Sequence, residues 1–319
     1  MGRWGSLKAR PAMAARPAVR LLGGYMKNTL RVLVCLFCLW APAVLAQETP
    51  PPSSAAAATG PDPKVLEKAL KGDAEAQYAL ATAYGKGEDG APRDHKAALT
   101  WFLKAANQNH TEAQYDLGMF YMFSEETGAR SASEGVKWFR RAAERGHVGA
   151  QNAVAAAYAS GEGVDKNYQE AMKWWRKAAD KNSAEAEFNI GYSYLMGEGV
   201  DENDAEAFKW ITLSAQQNFT EAQYMLGRLY LEGIGTAADL PLSVKWFHEA
   251  AKKRHAGATM MIGDAYIEGR GVPQNRTEAF YWYSLAVEID ETYKAEKDEL
   301  RETISPRDQV EVQKRLMNR

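Results

Sequence analysis

Six tryptophans recur along this chain with an almost constant period: Trp101, Trp138, Trp174, Trp210, Trp246 and Trp282 lie 37, 36, 36, 36 and 36 residues apart. A tyrosine precedes each by 16 or 17 residues (Tyr84, Tyr121, Tyr158, Tyr194, Tyr230, Tyr266). A period of this length marks supersecondary units that bury their apolar faces only by stacking on one another. The expectation is one elongated all-α stack of six helix pairs, at 73–109, 110–146, 147–182, 183–218, 219–254 and 255–290.

Comparing the six copies with one another separates architecture from variation. In the first helix of each pair, Ala76, Ala113, Ala150, Ala186, Ala222 and Ala258 share one phase, and Ala81, Gly118, Ala155, Gly191, Gly227 and Gly263 another. Small residues at fixed phase mean close helix contact. Glycine turns such as Gly161-Glu162-Gly163 and Gly233-Ile234-Gly235 follow, suited to a left-handed helix end. Seven residues before each tryptophan stands an N-cap former, Asp94, Ser131, Asn167, Asn203, Asp239 or Asn275. Glu134, Glu170, Glu206 and Glu278 complete a capping box in four copies. Small residues three before and four and five after the tryptophan, as Ala171, Ala178 and Ala179 around Trp174, make a socket. The six tryptophans therefore read as structural core rather than as a ligand ladder.

The succession A-x-x-x-L-G-x-x-Y, G-x-G-V and A-x-x-W-x-x-x-A-A resembles the Sel-one-like repeat family, relatives of the tetratricopeptide repeats. Ala222-Gln223-Tyr224-Met225-Leu226-Gly227-Arg228-Leu229-Tyr230 shows its first part, and Ala171, Trp174, Ala178 and Ala179 its last. The resemblance covers residues 62–290 and implies an all-α, right-handed α/α superhelix, or solenoid. Copy 2 departs from it, with Ser124-Glu125-Glu126-Thr127 where the paired glycines belong. Asp62-Pro63 opens a helix through Lys71 that caps the stack, and residues 291–319 supply the opposite cap: a charged helix from Lys294 to Thr303, then one after Ser305-Pro306.

Residues 1–46 read as an export signal. Lys27 and Arg31 are its basic region, Val32 to Trp40 its apolar run, and Val44-Leu45-Ala46 its cleavage site, with Met26 the better start. The run is about half of the ~20 residues a membrane helix needs. A cleaved, periplasmic or secreted chain is expected, the alternative being anchorage by the uncleaved signal. Residues 47–61 form a flexible Pro/Ala/Ser linker. After Ala46 the chain holds 32 basic against 41 acidic residues, which disfavours nucleic acid or anionic lipid as partner. Both cysteines, Cys35 and Cys38, lie inside the signal, leaving no thiolate chemistry.

The chain offers little else for catalysis, cofactors or metals. His248-Glu249-Ala250-Ala251-Lys252 lacks the second histidine of a zinc helix, and His248 reads as a tolerant surface position. His110, His147 and His255 share one repeat-junction phase, so successive copies hold them apart. Asp165-Lys166-Asn167 and Asp201-Glu202-Asn203 lack the glycine and closing glutamate of a calcium loop. The resemblance extends to secreted members linked to β-lactam binding or hydrolysis, but those are cysteine-rich and this chain has no Ser-x-x-Lys. No catalytic residue, cofactor or metal site is expected.

If the repeating positions are structural, binding belongs to first-helix positions that differ between copies. These are Asp116, Met119 and Phe123 in copy 2, Asn189, Tyr192 and Met196 in copy 4, Met225 and Arg228 in copy 5, and Met261 and Asp264 in copy 6. Mixed Met, aromatic and Arg surfaces favour protein contacts. The expected function is a non-catalytic scaffold holding a protein or peptide on its concave side, with Tyr192, Met225 and Arg228 central. A cell-envelope enzyme would instead need a convergent acid–base pair in the groove, and a structural spacer would self-associate.

Overall fold

The structure, a computed structural model, describes residues 60–124 and 130–318. The expected signal and most of the expected linker lie outside the described residues, as does most of the altered turn of copy 2. Among the described residues all regular structure is helical, and no helix is long and apolar enough to cross a membrane. The chain divides into two compact units at a repeat junction, between Lys181 and Asn182.

The first unit opens with a cap helix, Pro63–Leu70, whose N-cap Asp62 accepts from the Lys64 amide. Repeat 1 follows as Ala74–Lys86 and His95–Asn107, repeat 2 as Thr111–Phe123 and Ala132–Glu144, and repeat 3 as Val148–Ser160 and Tyr168–Ala179. The second unit holds repeat 4 (Ala184–Met196 and Asp204–Gln216), repeat 5 (Thr220–Glu232 and Leu240–Ala251) and repeat 6 (Ala256–Glu268 and Arg276–Ile289). A short 3-10 turn, Glu291–Tyr293, leads to Lys294–Arg301 and Pro306–Met317. Leu300, Ile304 and Val312 of this C-terminal segment pack with Phe280 and Tyr283, closing the apolar face of repeat 6.

Local chemistry accounts for these boundaries. Each of the six N-cap residues named from the sequence accepts a backbone N–H of the second helix it opens. Their own amides donate to the carbonyls of Tyr84, Tyr121, Tyr158, Tyr194, Tyr230 and Tyr266 at 2.7–2.9 Å, which ties the start of the second helix to the end of the first. Gly87, Gly161, Gly197, Gly233 and Gly269 end first helices in the left-handed conformation. The first helix of repeat 2 ends instead on an extended Ser124 at φ −76°.

The second glycine of the turn has a different task. A Cβ on Gly163 would fall 2.5 Å from the Ala132 carbonyl oxygen, at the start of the second helix of the preceding repeat. Gly271 meets Leu240 in the same way. The turn glycines therefore set the approach between successive repeats as well as the bend within one.

The core matches the expectation for two of the six tryptophans and corrects it for four. Only Trp138 and Trp174 are buried, while Trp101, Trp210, Trp246 and Trp282 are half-buried. Phe102, Phe139, Trp175, Ile211, Phe247 and Tyr283, each one residue later, fill the centre of the pair, at 5% exposure or less. A Cβ on Gly118 would run into Phe139, on Gly191 into Ile211, on Gly227 into Phe247 and on Gly263 into Tyr283. The small first-helix residue thus makes room for the residue after the tryptophan, and the tryptophan covers the edge of the pair.

Candidate functional site

The first-helix stripe is not uniformly open. Asn189, Met225 and Arg228, at 6%, 3% and 8% exposure, are buried, contrary to their expected place on a solvent-facing surface. Arg228 pairs with Glu232 one turn along its own helix, and both side chains are largely enclosed. This neutralises a charge that would otherwise resist burial. Met119, Phe123, Tyr192, Met196, Met261 and Asp264 remain half-buried.

The two acidic members of the stripe are already engaged. Asp116 accepts from the Tyr78 hydroxyl at 2.9 Å, and burial pushes its carboxyl up to about 6. Asp264 accepts from the Tyr283 hydroxyl in the second helix of its own repeat. Burial also pushes the Tyr192 hydroxyl up to about 12, so it is a neutral donor at ordinary pH. The stripe in the first unit is thus Asp116, Met119 and Phe123, and in the second Tyr192, Met196, Met261 and Asp264.

The junction histidines have a structural task that the sequence reading missed. Nδ1 of His110, His147 and His255 accepts from the amides of Ala113, Ala150 and Ala258 at 3.1, 3.0 and 3.0 Å, capping the first helix of each repeat. Each ring stacks on a tyrosine of the preceding repeat, His110 on Tyr78, His147 on Tyr115 and His255 on Tyr224, with centroids 4.5–4.6 Å apart. Asp73 and Ser183 cap at the equivalent position, and that chemical equivalence was the available signal. A capping Nδ1 needs its lone pair, and at His147 and His255 burial favours the same neutral ring. Burial pulls His255 down to about 4 and lowers His147 as well.

A pH dependence follows. The unfolded chain takes up a proton at His255 near its ordinary value of 6.5, whereas the folded chain resists until about 4. The full contribution is present above pH 6.5 and is lost as pH falls from there to about 4, by about 3 kcal/mol in all. His255→Ser, which keeps a capping oxygen, is expected to flatten this step in urea titrations between pH 7 and 4. An unchanged step would exclude His255 as its source.

His248 is not the tolerant surface position expected. It packs edge-on against Trp282 of the next repeat, centroids 4.9 Å apart, and burial lowers its pKa. Among the described residues no three His, Cys, Asp or Glu side chains converge as metal ligands would. An open hollow of about 740 Å³ at the repeat 3 turn is lined by Tyr158, Gly161, Gly163, Asp165, Lys166 and Glu170. Asn167, on its wall, is already committed to capping.

The Sel1 repeat family model matches six times, at 74–110, 111–147, 148–183, 184–219, 220–255 and 256–289, each within one residue of the boundaries read from the tryptophan period. Among solved structures, the chain is similar to c5321, a protective antigen of uropathogenic Escherichia coli with an SLR fold, at 30% identity and a TM-score of 0.67. That match covers 70% of this chain and 48% of c5321, so this chain spans about half of that protein's length. It is also similar to a Sel1 repeat protein from Oxalobacter formigenes, at 31% identity and a TM-score of 0.67, over 74% of this chain and 68% of the other. No curated protein matches it. Repeat period, helix pairing and turn chemistry all coincide with the matched segments, and the chain belongs to the Sel1 repeat family, with the all-α solenoid fold of helix pairs that these repeats build.

Proposed function

We propose that this protein is an exported, non-catalytic scaffold that holds a protein or peptide partner against the first helices of its repeats. The observation that carries this reading is the set of half-buried Met and aromatic side chains at first-helix positions that do not repeat: Met119 and Phe123 in one unit, Tyr192, Met196 and Met261 in the other. Such side chains adapt to a partner and bury much apolar surface for little loss of polar solvation. Sel1 repeats typically serve protein interaction, and the similar c5321 is a protective antigen with an SLR fold. Export is supported by the basic, apolar and small-residue succession at 27–46.

Asn189, Met225 and Arg228 act beneath this surface rather than on it. The test is the triple variant Tyr192→Ala/Met196→Ala/Met261→Ala, compared with the unmodified chain in affinity capture from the producing cell. Loss of the captured partner is expected, with helical content retained. Capture at full strength by the folded variant would refute the assignment of this face.

A further inference from the structure

We propose a second interaction surface, on the second helices of repeats 2 and 3, that docks a short acidic segment of a partner protein. Arg140, Arg141 and Arg145 follow Trp138 by two, three and seven residues, and Arg176, Lys177 and Lys181 follow Trp174 at the same spacings. All six are exposed. In repeat 4 the same three positions are Thr212, Leu213 and Gln217.

Three contacts join the second helix of repeat 2 and its end to repeat 3. The Gly163 backbone packs on Ala132 at the start of that helix, the Arg140 guanidinium donates to the Tyr158 hydroxyl of repeat 3, and Lys181 Nζ donates to the Gly146 carbonyl at 2.6 Å at the far end. The six cations therefore lie on adjoining repeats and make one basic band.

Two of its cations, Arg141 and Lys177, are held ready for an outside anion. Arg141 sits over the Trp138 indole at 4.3 Å and Lys177 over Trp174 at 3.9 Å, and among the described residues neither pairs with a carboxylate. An indole face fixes a cation while leaving its charge uncompensated, which lowers the ordering entropy lost on binding. The nearby Glu134 and Glu170 are taken by Lys137 and Lys173 of their own helices, leaving Glu144 and Asp180 at the rim. Helix-dipole stabilisation alone does not call for this charge, because Asp204–Gln216 and Arg276–Ile289 carry no basic residue in their last turns.

The chemistry of the partner follows from what surrounds the band. After Ala46 the chain is acidic, 32 basic against 41 acidic residues, so an extended polyanion or a flat anionic membrane would meet repulsion beyond the band. A short acidic peptide segment would not. This surface is separate from the first-helix face, so its failure leaves that reading intact.

The test is fluorescence anisotropy of a labelled peptide of alternating Glu and Ala with the purified chain, beside its Gln analogue, phosphatidylglycerol vesicles and an oligothymidylate. Binding of the Glu peptide alone is expected, weakening about tenfold between about 50 and 300 mM salt. Arg141→Glu/Lys177→Glu is expected to lose at least about tenfold and Arg145→Gln/Lys181→Gln a smaller factor, while Lys209→Glu/Lys245→Glu changes binding less than about twofold. Circular dichroism confirms folding of each variant, and the Gln pair serves if the Glu pair does not fold. Equal binding by folded band variants, no binding of the Glu peptide, or tighter binding of vesicles or oligonucleotide would each overturn the proposal.

Discussion

Replacing Gly235 with alanine is expected to destabilise the second unit by about 3–4 kcal/mol, far more than the loss of one glycine in a turn would suggest. Gly235 has φ +69°, and a Cβ there would overlap the Asp204 carbonyl oxygen and crowd Phe208 of the preceding repeat. The left-handed conformation contributes about 1 kcal/mol of this and the backbone overlap the rest. Gly197 separates the two effects. Its φ is +64°, but a Cβ there would find no atom nearer than 3.7 Å, so Gly197→Ala should cost only about 1 kcal/mol. Urea unfolding followed by circular dichroism distinguishes them, and equal losses would show that the second turn glycine does not set the spacing between repeats.

Phe247→Ala is expected to cost about 3–5 kcal/mol, more than removal of the larger Trp246 beside it. Phe247 is 1% exposed and fills the space left by Gly227, packing with Ala250, Ala258 and Ile262. Trp246 is half-buried, so its truncation exposes less and opens a cavity that water can fill, at about 1–2 kcal/mol. If the tryptophan variant proves the less stable of the two, the assignment of the core to the following residue is wrong.

Much of the fold was legible because it rests on local chemistry repeated six times. N-caps, left-handed glycines and the period itself need only the chain's own neighbours. The core plug was harder to see because its identity varies among Phe, Trp, Ile and Tyr, while the adjacent tryptophan never changes. Constancy drew the inference one residue, or about 100° of helix, away from the deepest position. The junction histidines hid for a related reason: aspartate, serine and histidine look unrelated until one sees that each offers an acceptor to the same helix end.

The candidate surface was less legible, since variability between repeats was equated with exposure. Arg228 breaks that rule through Glu232, four residues on, a pairing visible in the sequence but not decisive there. Met225 and Asn189 break it by being buried in the folded unit, which no spacing rule reveals.

The most direct test of the division between repeating architecture and non-repeating binding positions is site-specific photocrosslinking in the producing cell. Benzophenone side chains would be placed singly at Met196 and Met261 on the first helices, and at Lys209 and Lys245 on exposed second-helix positions outside the basic band. A discrete crosslinked partner from both first-helix sites and none from the second-helix sites is the predicted result. Adducts confined to Lys209 and Lys245, or absent from all four sites, would contradict it.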